Sequence, residues 1–571
     1  MQQRNHLIQQ PVTAAICAGL LGALYALLGL DGFFWSDDFW LLPFASTHGI
    51  FDWWFTTPAD FAPYWPKWAG LEPGQKYYLY MRPLTTLSLK IDYLLWGYWA
   101  PGYHMTQALL AGASVAAFYA AARRFAGNSV AFWAALLFAI LPVQAEARCW
   151  IAARSGLLSS TLLFAAVAIA GSAGVKPWLR TTLASVVLVL GLSAKSDAAM
   201  AIPWLLALAW VPPRKDLATR RQVVITAATL TILATLYLVV TRVVLAPESG
   251  SRMDVSYLAD GGLGRFLANL SQYLISLHSQ IIPAAGRSMP WFQSLAIIGG
   301  VAFIWWAVLR RSNNRLMGYA VAMLAVLPLL PASLFIPNER HMLLSAAGIS
   351  LLLMSLVVPR WPGWSRMVKG LSVTVLVLLA LLSISHHRSA ASLGYSTRDY
   401  AQSIIDSCSL PQPGGRLYLA GVLPSMTQVD SALSMLRQRR EFEVVILSLD
   451  LHSMPQAIDV PSEARFWYCL ASTYGCPPVK DQYSLEGQTL RVHRPKAWFF
   501  DSSADRMGGY NRRYQGKQGR IFKETGHFSV DIARLHKDNG MPVTLDFALQ
   551  DSNATLCIGQ GVTFSPVSLK P

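Results

Sequence analysis

The stretch PVTAAICAGLLGALYALLGL (Pro11–Leu30), followed at once by DGFFWSDDFW (Asp31–Trp40), decides how the rest of the chain is read. The first part carries no charged residue. It is long enough to cross a hydrocarbon core, which takes about 20 apolar residues in a helix. No small-x-small cleavage site separates it from the aromatic residues that follow, so it reads as a retained span and not as a removed signal. The second part sets two adjacent carboxylates, Asp37 and Asp38, among aromatic rings just outside that span.

Outward from this stretch the apolar pattern recurs. With Val12–Leu30 as the first, the candidate spans are His104–Ala122, Val130–Leu141, Leu157–Ala173, Thr181–Ala194, Ala198–Val211, Val223–Leu245, Trp291–Leu309, Leu316–Ile336, Met342–Val358 and Val368–Ser385. That makes about eleven crossings. Leu263–Ile282 is apolar but carries Arg265, Asn269, Gln272, His278 and Gln280. It reads as an amphipathic helix at the outer interface or as a re-entrant segment.

Composition agrees. Of 571 residues, 53% are hydrophobic and 14% charged, against about 25% charged in soluble domains. Charges are sparse up to about Ser385 and ordinary after it, so the boundary falls near His386-His387-Arg388. The expected fold is a polytopic α-helical membrane part, residues 1–387, and a soluble α/β domain, residues 388–571. In the second, strands at Gly415–Val422 and Glu443–Leu449 flank a helix at Gln428–Arg437. A hairpin at Ser484–Val492 turns on Glu486-Gly487, with further strands at Val543–Ala548 and Thr555–Ile558. No Gly-rich phosphate loop follows a strand, which leaves nucleotide binding unsupported.

The net charge of +16 is distributed by topology. Arg123-Arg124, Lys176 with Arg180, Arg214-Lys215 with Arg220-Arg221, Arg310-Arg311 with Arg315, and Arg360, Arg366 and Lys369 occupy short loops opposed only by Asp216. Alternating spans put all of these on one side, which the positive-inside rule makes cytoplasmic. The N-terminus is then cytoplasmic. An odd span count leaves the tail outside, as a periplasmic domain of a bacterial inner (cell) membrane protein. No basic stripe with interleaved aromatics is present, so the expected partner is the lipid bilayer and not nucleic acid. Cys408, Cys469, Cys476 and Cys557 fall in the tail, where export permits disulfides in three pairings and reduced thiols are the alternative.

Two carboxylates among aromatics at a membrane face are costly unless hydrated or paired. Their mutual repulsion raises one pKa, which suits a general base. The structural alternative is a helix cap at Ser36 or Asp37. Other ionisable residues gather at span ends on the same side: Arg82, His104, Glu146, Arg148, Arg154, Lys195, Asp197, Glu339, Arg340 and His341. Any one of them could simply snorkel. Together they put cations on the face that should be poor in them, which points to an anionic ligand such as a lipid phosphate.

The order of these residues resembles a family. Arg82-Pro-Leu-Thr85, Trp96-Gly-Tyr-Trp-Ala-Pro-Gly-Tyr-His104, Leu137–Glu146, Trp150–Leu158, Ala194-Lys-Ser-Asp197 and Asn338-Glu-Arg-His341, following Asp37-Asp38, are similar to motifs of the GT-C superfamily of membrane glycosyltransferases. The similarity covers Val12 to about Ser385. It is greatest to the branch with the transmembrane-and-TPR O-mannosyltransferases, and more distant to protein O-mannosyltransferases and aminoarabinose transferases. The chain departs from the pattern in several places. Leu141-Pro142 stands for His-Pro, Lys195-Ser196-Asp197 for a Lys-Glu pair, and the Tyr that usually follows Glu-Arg is replaced near His341. An unrelated tail replaces the TPR repeats.

The resemblance implies an inverting transfer of a sugar from a polyprenyl-monophosphate donor to a hydroxyl of a glycan, lipid or protein acceptor. Asp37 would be the base, with Asp38 assisting or holding the acceptor. Lys195, Arg154 and Arg340, with Arg82, would stabilise the leaving phosphate. Glu146 would orient Arg154 or a sugar hydroxyl, His104 would touch donor or acceptor, and Asp197 and Glu339 complete the donor set. Some members use a divalent metal. The residues do not require one, and no cofactor is assigned. Other readings remain: a transporter or flippase of a lipid-linked sugar, a polymerase or ligase with a diphosphate donor, and a non-catalytic receptor.

Overall fold

The computed structural model describes residues 10–35, 38–49, 82–211, 217–241, 262–280, 291–310, 315–333, 341–420, 429–437, 442–447, 466–468, 482–497, 499–501, 518–523, 526–531, 541–549, 554–560 and 563–567. The helices are α1 (Pro11–Ala26), α2 (Asp38–Thr47), α3 (Pro83–Trp96), α4 (Ala100–Ile140), α5 (Ala145–Cys149), α6 (Arg154–Ala170), α7 (Pro177–Ala194) and α8 (Ala201–Leu208). They continue as α9 (Arg220–Val239), α10 (Gly262–Ser279), α11 (Trp291–Leu309), α12 (Arg315–Val326), α13 (Leu329–Ala332), α14 (Leu343–Val357) and α15 (Arg366–Ser407). Among the described residues, seven helices are long and apolar enough to cross a membrane, and Ser196–Leu208, Gly318–Ala332 and Leu343–Val357 are shorter apolar ones. The chain is a multi-pass helical membrane protein with strands toward its C-terminus.

The longest early helix, α4, is two helices joined at Gly127, whose φ of 79° and ψ of 178° are not helical. That conformation is open essentially to glycine alone. The chain reverses there. The rings of Phe118 and Phe138 lie 4.8 Å apart, where a straight helix would hold them about 30 Å apart. The expected spans at 104–122 and 130–141 are therefore the two arms of a hairpin. Phe164 and Trp204 pack on the same aromatic cluster, 5.4 Å apart. Helix α1 meets the first arm through glycine: a Cβ on Gly112 would lie 2.8 Å from the Gly19 carbonyl oxygen. Small residues allow that backbone approach between apolar helices.

Three of the basic loops share one end. Arg124 Nε donates to the Ala168 carbonyl at 3.1 Å, Arg180 Nη1 to the Ser172 carbonyl at 2.9 Å, and Ala218 N to the Gly171 carbonyl at 2.9 Å. The loops after the first α4 arm, after α6 and before α9 thus meet.

Helix α10 packs its polar side against neighbouring segments. Asn269, Ser271, Gln272, Tyr273 and Ser276 are all buried. Asn269 Nδ2 donates to the Ser333 carbonyl at 3.0 Å near α13, and Trp305 Nε1 of α11 donates to His278 Nε2 at 3.1 Å. The helix is packed in protein, where a polar face at membrane depth is tolerated.

Contacts divide the chain into two compact units. One comprises Met1–Phe33, Ala45–Pro58 and Lys76–Gly394, the other Phe34–Phe44, Ala59–Gln75 and Tyr395–Pro571. The second holds β1 (Arg416–Ala420), helix α16 (Val429–Leu436), β2 (Glu443–Leu447), β3 (Phe466–Tyr468), β4 (Gln482–Glu486), β5 (Thr489–Ala497) and β6 (Phe499–Asp501). After these come β7 (Gln518–Lys523), β8 (Gly526–Asp531), β9 (Met541–Ala548), β10 (Ala554–Gln560) and β11 (Thr563–Val567). One sheet has the order β11-β10-β1-β2, with β1 parallel to both β10 and β2. A second, antiparallel, has the order β4-β5-β9-β8-β7, and β3 pairs with β6. Leu417, Tyr418, Leu419, Leu556 and Cys557 are buried in the first sheet. Cys408, just past the end of α15, is disulfide-bonded to Cys557 of β10. This selects one bridge from the open pairings; Cys469 and Cys476 lie outside the described residues.

Candidate functional site

At the opposite end of the helices from the basic loops, the chain breaks helix repeatedly, and the breaks carry the charges. Arg82 stands at the N-cap of α3 before Pro83. Its Nη1 donates to Ser155 Oγ at 3.1 Å, in the first turn of α6. Lys195 ends α7 in extended backbone, with φ −164° and ψ 142°, and pairs with Asp197 in the following 3-10 turn. Thr85 Oγ1 fixes this break to α3 through the Ala194 carbonyl at 3.1 Å. His341 Nδ1 meets the hydroxyl of Tyr273, from α10, at 2.8 Å.

These groups share one electrostatic field. Burial would push the Asp197 carboxyl up. Lys195, by charge and hydrogen bond, and then His341 and Arg82 outweigh it and hold the group below its ordinary 3.8. The Lys195 and Asp197 side chains keep 15% and 41% of their surface exposed, so a ligand can reach them. Among the described residues of the cluster, Arg82 and Lys195 outnumber the carboxylate of Asp197, and the cluster is suited to an anion.

Beneath it lies a buried network. Arg154 is fully buried, and its Nη2 pairs with Asp92 Oδ2 at 2.6 Å. Nη1 donates to Ser88 Oγ at 3.0 Å, Nε to Gln107 Oε1 at 3.4 Å, and Nη2 also to the Tyr103 carbonyl at 3.3 Å. The sequence reading placed Arg154 on the donor phosphate. In the fold its guanidinium is enclosed by protein acceptors, because α3 sets Asp92 against it. His104 is likewise buried, with its ring on Gly32, where a Cβ would lie 3.0 Å from Nε2. It packs the segment leading to the acidic motif and does not open outward.

Glu146 sits half-buried in the first turn of α5. Gln107 Nε2 grips the same turn, donating to the carbonyls of Ala147 at 3.0 Å and Trp150 at 2.9 Å. Arg148 is buried and closes the carbonyl end of α4, donating to Ala139, to Phe138 at 2.9 Å and to Gln144 Oε1 at 2.6 Å. It serves the helix end and not the cluster.

Asp38 opens α2 and is buried. Its Oδ2 accepts from Trp35 N at 3.1 Å, and its own N donates to the Trp35 carbonyl at 3.2 Å. These two bonds close a turn from Trp35 into the helix start; the cap expected at Ser36 or Asp37 lies outside the described residues. Asp37, Glu339 and Arg340 lie outside the described residues. Among those described, no three His, Cys, Asp or Glu side chains converge as a metal-ligand set. Sequence reasoning passed over Asp92, Gln107, Ser155 and Tyr273. The available signal was that Asp92 is the sole carboxylate between Glu72 and Glu146.

No protein-family model and no curated protein matches the sequence. Several solved chains resemble it, among them the following three. The crystal structure of ArnT from Cupriavidus metallidurans bound to undecaprenyl phosphate shares 12% identity at a TM-score of 0.40, over 79% of this chain and 88% of that one. The archaeal oligosaccharyltransferase AglB from Archaeoglobus fulgidus, in complex with an inhibitory peptide and a dolichol-phosphate, shares 12% at 0.43, over 76% of this chain and 64% of its own. The apo oligosaccharyltransferase of Archaeoglobus fulgidus shares 10% at 0.38, over 77% and 64%. The chain thus spans just under two-thirds of the two oligosaccharyltransferase chains.

Proposed function

We propose that this protein is a GT-C-type membrane glycosyltransferase that moves a sugar from a polyprenyl-monophosphate carrier to an acceptor hydroxyl on the extracytoplasmic side. The observation that carries this reading is the half-buried cluster of Arg82, Ser155, Lys195, Asp197 and His341, formed where membrane helices break. An anionic headgroup attached to an apolar chain matches a cationic pocket at the end of apolar helices. The ordered motif resemblance supplies the reaction class.

In this reading the acceptor oxygen attacks the anomeric carbon as the bond from that carbon to the phosphate oxygen breaks, with inversion. Asp37 takes the acceptor proton, a contribution of about 10²–10⁴-fold for a positioned base. The phosphate leaves with the bonding pair. It needs charge stabilisation more than a proton, which Arg82, Lys195 and Arg340 supply. His341 borders the same site and Asp197 holds Lys195 in place; the motif resemblance adds Glu339 to the donor set. Glu146 faces the sugar hydroxyls, and Asp38 sets the helix start beside Asp37. The disulfide between Cys408 and Cys557 supports an exported tail, since such bonds persist in oxidising compartments.

The test is the cellular pool of polyprenyl-monophosphate sugars, measured by mass spectrometry with wild type, Asp37→Asn, Lys195→Ala or no gene. One hexose- or pentose-linked species should accumulate in both variants as in the deletion. Unchanged pools, with the variants present at normal level, would overturn the donor assignment.

A further inference from the structure

We infer that Asp92 is a positioning residue for the anion site, acting through Arg154 and Gln107; this rests on the reading of that site as a lipid-phosphate pocket. Asp92 and Arg154 pair at 2.6 Å with 2% and 0% of their side-chain surfaces exposed. Two charges at that depth are justified by what they hold in place more than by net stability. Three arms lead from the pair. Thr106 Oγ1 donates to Asp92 Oδ1 at 2.7 Å and pins α3 to α4. Arg154 is followed in the chain by Ser155, which accepts the Arg82 guanidinium at 3.1 Å. Gln107, whose Oε1 accepts from Arg154, carries on its amide nitrogen both carbonyls of the turn that presents Glu146, at 3.0 and 2.9 Å.

Asp92 therefore fixes the orientation of Arg154, and with it the relative placement of Arg82 on α3 and Glu146 on α5. Neither Asp92 nor Arg154 needs to touch the ligand for this. Sites of this kind lose function when the supporting shell moves by about 1 Å.

The experiment uses the purified full chain in detergent, with undecaprenyl phosphate as the probe. Binding is read by titration well below the melting temperature, and stability by thermal melting. Asp92→Asn leaves a buried guanidinium uncompensated, and both stability and affinity should fall. The paired variant Asp92→Asn/Arg154→Gln removes both charges; its melting temperature should return toward wild type while affinity stays about tenfold weaker or more. Gln107→Met leaves the ion pair intact and cuts the arm to the Glu146 turn; it should also weaken binding, which direct contact by Arg154 would not explain. If wild type binds and the folded variants all bind equally, or if the paired variant regains affinity with stability, the positioning role is overturned and the pocket stands. Failure of wild type itself to bind overturns the pocket reading, and this role with it.

Discussion

Asp197 lies between opposing influences, and their balance fixes a pH dependence. Burial favours its neutral form, but Lys195, His341 and Arg82 hold the carboxyl below its ordinary value. A carboxyl depressed in the folded state adds stability that is complete above its unfolded pKa of about 3.9 and is lost as the pH falls through the folded value. Wild type should therefore lose melting temperature more steeply than Asp197→Asn as the pH drops below about 4. Parallel slopes would mean that the carboxylate is not held down by its neighbours. The same residue shows what a sequence conveys at this scale. The Lys195-Ser196-Asp197 turn was readable as a charged break between spans, because charges in apolar surroundings stand out. That His341 and Tyr273 come beside it was not readable, since nothing local records a contact between distant segments.

At the scale of elements, hydrophobic length identified most spans, and glycine geometry explains how they pack. Gly127 turns the helical hairpin of α4 with φ 79° and ψ 178°. A side chain there is strained by about 1–3 kcal/mol. Gly127→Ala should lower the melting temperature or the folded yield, whereas Gly299→Ala, with nothing within 4 Å of the added Cβ, should leave both unchanged. Equal behaviour of the two would show that the hairpin does not depend on glycine. Helix α10 marks the limit of this reasoning. Its mixed polar and apolar face suits a membrane surface and a protein interior equally well, and only Asn269, Tyr273 and His278 finding partners on α13, His341 and α11 separates the two. Strand β7 is hidden in the sequence because QGRIFK lacks a sustained alternation of apolar and polar residues, whereas GHFSVD of β8 alternates from His527 to Asp531 and was legible.

At the scale of the whole molecule, the division of charge along the chain and the gathering of three basic loops at one end predict an exported C-terminal domain. A reporter fused after Arg388 should be active only outside the cytoplasm. In the intact protein, thiol reagents should label Cys408 and Cys557 only after reduction, and activity of the reporter in the cytoplasm alone would refute the topology. The sequence by itself determined the membrane class, the helical segments, the strands around β1 and β2, and the pool of ionisable residues from which a site must come. These follow from local composition and periodicity, which any single segment displays. Tertiary structure decided which of those residues come side by side and which are enclosed by protein partners. It brought Arg82, Lys195, Asp197 and His341 together, put Arg154 in the interior on Asp92, gave Arg148 to a helix end, tied Asp38 back to Trp35, and chose the Cys408–Cys557 bridge. A buried charge is stable only with a partner, and the partner is set by how distant helices pack.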